Sequence, residues 1–283
     1  MATIIDGKSV AEKMRQSLKE EISKYTNAGF PPPILVIISI GEDAASQVYV
    51  RNKIKACKEV GVNVKHMGFS EDVLEDDIKS LIRACNKDAS IDGIMVQLPL
   101  PKQFNEREII DTINPKKDVD GLTTTNIGRL RSGQKCIEPC TARGIIDLLD
   151  AYHVDIDGKD VTIIGRSNIV GKPLADMLMA RGATVTQCHS HTKDISFHTV
   201  GADIIISAVG KAKFINHREI GRQQIIIDVG INRDENGKLC GDVDFADVVD
   251  RCDLITPTPG GVGPMTVAEL LKNTVEIYKN EKH

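Results

Sequence analysis

Val161-Thr-Ile-Ile-Gly165-Arg-Ser-Asn-Ile-Val-Gly171-Lys-Pro173 reads as a strand, a glycine-bounded loop and a helix start. Glycines let a backbone approach a phosphate closely, and a helix start offers unpaired N–H groups and the positive end of its dipole. The order points to a dinucleotide cradle. It departs from the usual G-x-G-x-x-G because Ser167 stands where the second glycine would be, and a plain βα turn would carry the same glycines. The next strand, Thr184 to Cys188, runs into His189-Ser-His-Thr-Lys193 with no carboxylate before Asp194. An NAD site usually places an acid there for the ribose 2′-hydroxyl. Arg166, in the first loop, would meet a 2′-phosphate as a charged fork. Together these features favour NADP over NAD.

Outward from that loop, short β-branched runs alternate with helical patterns along nearly the whole chain. On the N-terminal side, Val10, Met14, Leu18 and Ile22 make one helical stripe from Ser9 to Tyr25. Pro31-Pro-Pro33 stops it, and Ile34 to Ile40 reads as a strand buried on both faces. Asp43 to Val60 is a second helix closed by Gly61. A strand over Val62–Phe69, a helix over Asp72–Asn86 and a strand over Asp92–Leu98 follow. Past Pro115 the pattern breaks into a polar stretch running to Cys140, with Thr141 as the N-cap of a helix through Tyr152. On the C-terminal side, strands are expected over Ala202–Val209, Ile225–Val229 and Asp253–Ile255, and a last helix over Pro264–Lys279. Strands alternating with helices imply a mainly parallel sheet.

The chain has 283 residues, enough for one large domain or two modest ones. Its net charge of −4 gives no global field for nucleic acid or an anionic membrane. With 41% hydrophobic and 27% charged residues the composition is that of a soluble globular protein. The start lacks the basic, then apolar, pattern of a signal peptide, and the purest apolar run, Ile34–Ile38, is too short for a bilayer. Seven cysteines without regular spacing argue for free thiols in a reducing compartment, so the cytoplasm is expected. Cys136 and Cys140 lack a second ligand pair, as do His189 and His191, so no metal is expected.

Chemistry-bearing residues also lie in the first half. Ser46, Tyr49 and Lys53 share a face of the second helix, although a lysine on a surface helix is usually only solvated. Gln97 falls at the carboxyl end of a strand, where open α/β sheets keep their ligand crevice. Leu98-Pro99-Leu100-Pro101 cannot extend the ladder. Asp118 and Asp120 frame an Asp-Val-Asp-Gly turn and can be read as turn chemistry. Near the other end, Thr256-Pro-Thr-Pro-Gly-Gly-Val-Gly-Pro-Met-Thr266 is a rigid loop whose backbone can touch a flat ligand, or a hinge between domains.

Five of these segments, in order, closely resemble the bifunctional methylenetetrahydrofolate dehydrogenase/methenyltetrahydrofolate cyclohydrolase family. They are Ser46-Gln-Val-Tyr-Val-Arg-Asn-Lys-Ile-Lys55, Gly93-Ile-Met-Val-Gln-Leu-Pro-Leu-Pro101, Lys117-Asp-Val-Asp-Gly121, Gly165 to Gly171 and Pro259-Gly-Gly-Val-Gly-Pro-Met-Thr266. The resemblance implies two α/β domains flanking a cleft, the second a Rossmann-like NADP-binding domain. Residues 1–140, completed by a C-terminal helix over 265–283, would bind folate, and 141–264 would bind NADP. It implies oxidation of the methylene bridge of tetrahydrofolate by NADP, then hydrolysis of the methenyl cation to the 10-formyl compound, in a homodimer.

By the same resemblance Lys53 is the catalytic lysine, Tyr49 packs beside the folate, and Gln97 hydrogen-bonds the lysine and the substrate. Leu98, Pro99, Pro259, Gly260 and Gly261 would border the folate, and Asp120 would anchor the pterin through two carboxylate oxygens. Gly165, Arg166, Ser167, Ile169, Val170, Ser190 and Ile231 would line the cofactor site. A lysine suits the second step, because attacking water must lose a proton and the departing ring nitrogen must gain one. Two departures stand out: Ala142 where the family commonly has proline, and Lys172, whose charge would add to phosphate binding. A shikimate or amino-acid dehydrogenase would share the Rossmann half and a crevice lysine, but would leave Gln97–Pro101 and the Pro259–Thr266 loop unexplained. A folate-binding module without catalysis, or an enzyme with one of the two activities, are the remaining alternatives.

Overall fold

The structure, a computed structural model, describes residues 2–41 and 43–282. Met1 and His283, the ends of the expected folate domain, lie outside the described residues. In chain order the elements begin with β1 (Thr3–Ile4), α1 (Gly7–Asn27), β2 (Ile34–Ile40), α2 (Ala44–Val60), β3 (Asn63–Phe69), α3 (Glu75–Lys87) and β4 (Gly93–Val96). Then come α4 (Glu106–Asp111), α5 (Thr124–Arg131), α6 (Cys140–Ala151), β5 (Asp160–Ile164), α7 (Gly171–Met179) and β6 (Thr184–Cys188). The rest are α8 (Ser196–Thr199), β7 (Ile204–Ser207), β8 (Ile225–Asp228), β9 (Asn232–Arg233), β10 (Leu239–Cys240), α9 (Phe245–Val248), β11 (Leu254–Ile255) and α10 (Val262–Lys282).

The chain forms two compact units, one of residues 12–140 and 267–283, the other of 1–11 and 141–266. In the first, β2 is flanked by β3 and β4, all parallel. Its alternation explains its unbroken apolar sequence. Leu35 and Ile37 enter one core with Val50 and Cys57 of α2 and Leu271 and Val275 of α10, while Val36, Ile38 and Ile40 enter a second with Ile78 and Ile82 of α3. α2 is held at both ends. The Asp43 carboxylate accepts the Ser46 N–H at 2.7 Å, and Gly61, in the left-handed region at φ 94°, donates to the carbonyls of Cys57 and Lys58.

The second unit is built on a six-stranded sheet in the order β1-β11-β8-β7-β5-β6, every pair parallel. β5 has β6 on one side and β7 on the other, so the connection direction reverses there. Ligands of open α/β sheets bind at that switch point, outside the carboxyl ends of the strands. The loop 165–170 leaves β5 at that end.

Three expectations change. The N-terminal residues were assigned to the folate domain, but Thr3 and Ile4 pair with Leu254 and Ile255, so they extend the other unit's sheet. The polar stretch before Cys140 contains α5, whose start is fixed by the Thr123 hydroxyl accepting the Asn126 N–H. Thr141 is not the N-cap of α6, because the helix already begins at Cys140. Among the described residues no helix is long and apolar enough to cross a membrane.

Candidate functional site

In the first unit, the positions of Lys53, Gln97 and Asp120 follow from backbone register. The Gln97 N–H donates to Ile38 O at 2.8 Å just past the end of β4. Residues 117–119 run parallel to β4, with Ile94 N–H donating to Lys117 O at 2.7 Å and a bridge between Ile94 and Asp118. Gln97 and Asp120 therefore emerge at the same end of neighbouring segments. The approach is close: a side chain on Gly93 would collide with Val119.

Lys53 comes from α2. Only 8% exposed, it donates from Nζ to Gln97 Oε1 at 3.0 Å and lies 3.8 Å from Met95 Sδ. Gln97 Nε2 in turn donates to Leu98 O at 2.6 Å, which fixes the amide with its oxygen toward the lysine. Burial raises the Asp120 carboxyl above its ordinary range, and the Lys53 charge and a hydrogen bond from the Cys140 thiol pull it back. Tyr49, one turn before Lys53, is half-buried, and burial raises its phenol. Asp118 has a different job: its carboxylate accepts the N–H groups of Leu122 and Thr123 and the Asn126 amide, so it is the turn residue.

A cavity of about 380 Å³ opens beside Gln97 and Pro99 and is lined also by Ser39, Ser46, Val50, Arg51 and His66. Ser39 Oγ and His66 Nε2 are 2.9 Å apart at its wall. Lys53, Tyr49 and Asp120 do not line it.

In the second unit the cradle is backbone. Gly165 has φ +130°, donates its N–H to Cys188 O at 2.9 Å, and could carry no side chain because Ala208 O occupies that space. A side chain on Gly171 would strike the Gly165 carbonyl. Ser167 does more than replace a glycine. Its Oγ accepts the Val170 and Gly171 N–H groups at 3.1 and 3.4 Å and so starts α7. Arg166, Ser167 and Ile169 of this loop are exposed, as are Ser190 and Ile231, whereas Val170 is buried. His189 is held below its ordinary pKa by burial first, then by the charges of Arg166 and His191. The residues thus fit a dinucleotide bearing an extra phosphate: a glycine cradle at a helix start, exposed apolar contacts, and an arginine among histidines. Lys172 donates to Asn168 Oδ1 at 2.7 Å.

Two buried acids brace the neighbouring loops, and sequence reading missed both. Asp242, fully buried, accepts the N–H groups of Val209, Gly210 and Lys211 after β7 and the Asn232 amide beside Ile231. Asp228 accepts from Gly230, Asp242 and Val243, and burial pushes it up to about 6, with the Asp242 charge acting in the same direction. An aspartate ending the all-isoleucine run 225–227 was the available signal. The Pro259–Gly261 loop belongs to this unit, where Gly260 O accepts the Lys8 N–H at 2.9 Å.

A Rossmann-like unit with a glycine cradle, and an α/β unit presenting a buried lysine on an amide, define a nicotinamide-dependent enzyme built in two units. Comparison with known proteins makes this particular. Residues 5–120 match the catalytic domain of tetrahydrofolate dehydrogenase/cyclohydrolase, and residues 139–282 match its NAD(P)-binding domain. The chain is 48% identical over 279 residues to the bifunctional protein FolD of Agathobacter rectalis, covering 99% of this chain and 100% of the relative. The crystal structure of the bifunctional FolD enzyme of Campylobacter jejuni is similar at 44% identity and a TM-score of 0.97, covering 99% of each chain. That of the Trypanosoma brucei enzyme, complexed with NADP and an inhibitor, is similar at 35% identity and a TM-score of 0.95, covering 100% of this chain and 99% of that one. The chain belongs to the tetrahydrofolate dehydrogenase/cyclohydrolase family.

Proposed function

We propose that the chain oxidises 5,10-methylenetetrahydrofolate to 5,10-methenyltetrahydrofolate with NADP and then hydrolyses it to 10-formyltetrahydrofolate, with Lys53 carrying the proton of the second step. The observation that carries this reading is the 3.0 Å hydrogen bond from buried Lys53 Nζ to Gln97 Oε1, with Asp120 close enough to feel the lysine's charge.

Bound NADP supplies the hydride acceptor for the first step. The residues that hold it are Gly165, Arg166, Ser167, Ile169, Val170, Ser190 and Ile231, with Val170 contributing backbone since its side chain is buried. The protein's task in that step is placement, because holding the reacting carbon in line accounts for much of such a barrier.

The hydrolysis asks more of side chains. Water attacks the methenyl carbon and must lose a proton, and Lys53 Nζ takes it. The resulting ammonium returns the proton to the ring nitrogen as its bond to that carbon breaks. Gln97 suits this cycle because its amide oxygen orients the lysine without neutralising it, as a carboxylate would. Asp120 offers its carboxylate to the adjacent N–H donors of the aminopyrimidinone ring. Tyr49 packs on the folate, and Leu98 and Pro99 border it. The chain acts in the cytoplasm as a homodimer, and light scattering of the purified protein tests the dimer.

The enzymatic test uses methylenetetrahydrofolate with NADP and with NAD in parallel, then methenyltetrahydrofolate alone. NADP reduction together with accelerated methenyl decay is expected. Reduction with persistent methenyl would remove the cyclohydrolase half, and decay without reduction would remove the dehydrogenase half.

A further inference from the structure

The Asp120 carboxylate works only if its backbone is held, and that backbone sits in a turn without a regular strand of its own. One side chain reaches it from the end of the chain. Asn273 of α10 is 6% exposed, and its Nδ2 donates to Val119 O at 2.9 Å and to Glu138 O at 3.1 Å, with Cys140 Sγ at 3.5 Å. Val119 immediately precedes Asp120. Residues 138–140 are the surface on which the turn rests. The Cys140 N–H donates to Asp120 O at 3.4 Å, and the Cys140 thiol lies 3.2 Å from Val119 O. Gly121, at φ +70°, leaves no room for a side chain, since its Cβ would stand 2.6 Å from the Glu138 backbone.

An amide NH₂ has two hydrogens, and here both are spent on the two segments that enclose Asp120. We infer that Asn273 is a positioning residue for folate binding, clasping Val119 and Glu138 so that Asp120 faces the pterin. This rests on the reading of Asp120 as the pterin anchor. Losing the clasp takes the amide donor from the part-buried Glu138 carbonyl and leaves the buried Val119 carbonyl with the weaker Cys140 thiol, and the turn shifts to compensate. A displacement of about 1 Å in a recognition group costs on the order of 100-fold in favourable cases. Because Asp120 contacts a part of the substrate that does not react, the loss falls on KM rather than kcat.

The test is steady-state hydrolysis of methenyltetrahydrofolate by Asn273→Ala, Asn273→Ser, Asp120→Ala and the Asn273→Ala/Asp120→Ala double variant. For Asn273→Ala, KM should rise about tenfold or more with kcat within about twofold. The affinity for NADP should stay at the wild-type value. Asn273→Ser keeps one donor and should fall between, and it decides the matter if the alanine variant does not fold. In the Asp120→Ala background, Asn273→Ala should add nothing to KM, since residues acting as a unit are non-additive. A full additive effect there, or a folded Asn273 variant with wild-type KM, overturns the inference while leaving Asp120 as the anchor. Wild-type KM in Asp120→Ala overturns the anchor reading itself, and the inference with it.

Discussion

At Lys53 the working atom is a side-chain nitrogen, almost wholly buried and aimed by one amide; at residues 165–171 the working groups are backbone, with the surrounding side chains exposed. The two units also brace their sites differently. Lys53 is oriented by a neutral amide, Gln97, and Asn273 holds the residue before Asp120, whereas the loops of the dinucleotide unit are drawn onto two buried carboxylates, Asp228 and Asp242, which collect backbone N–H groups as Asp118 does for its own turn. The difference follows from what each must do. A proton carrier has to change charge, so the group that hydrogen-bonds it is an amide rather than a carboxylate. A phosphate cradle has to keep one shape, and loops drawn onto a buried anion keep theirs.

The comparison breaks first at Lys53. Lys53→Ala should lower methenyl hydrolysis by about 10²–10⁴-fold, the usual worth of a general acid–base group. Lys53→Arg should not restore it, because a guanidinium does not give up its proton near neutral pH. Hydrolysis at the wild-type rate in either variant would end the proton-carrier role.

Next in size is the acid brace. Burial pushes Asp228 up to about 6 in the folded chain, against an ordinary 3.8. Between those values the folded state holds the extra proton, so stability should fall as pH rises from about 4 to about 6 and level off above. The full effect is at most about 3 kcal/mol. Thermal unfolding across that range should show the slope in the wild type and a flattened one in Asp228→Asn.

Arg166→Ala should weaken NADP about ten- to a hundredfold, the worth of a charge-assisted bond, and leave NAD nearly unchanged. Equal losses for both in a binding titration would separate the arginine from the 2′-phosphate. The smallest effect is expected at Asp43, which caps the helix carrying Tyr49 and Lys53. Asp43→Ala should cost about 1 kcal/mol of stability by thermal melting, with kcat for hydrolysis unchanged.

What could be read in advance was local. Asp43 and Gly61 bound α2 because caps are written in adjacent residues, and the 165–171 loop announces itself by two glycines at fixed spacing. Gln97 was placed by the prolines that stop its strand. The unread parts depend on partners distant in sequence. Thr3–Ile4 is too short to carry a period, and only Leu254–Ile255 makes it a strand. Asp242 carries no local signal, because its three N–H donors, Val209, Gly210 and Lys211, lie about thirty residues earlier in the chain. Asn273 sits in an amphipathic helix where a polar residue ordinarily faces water, and its acceptors lie 154 and 135 positions upstream.

The N-terminal strand of one unit is made first and waits for β11; the folate unit, made next, waits for the helix that follows the whole of the other unit. During synthesis neither can close before the opposite one has emerged, so the usual order of domains folding one after another from the N-terminus is replaced by near-simultaneous completion. An excised copy of residues 12–140 would lack Asn273, and one of 141–266 would lack its edge strand.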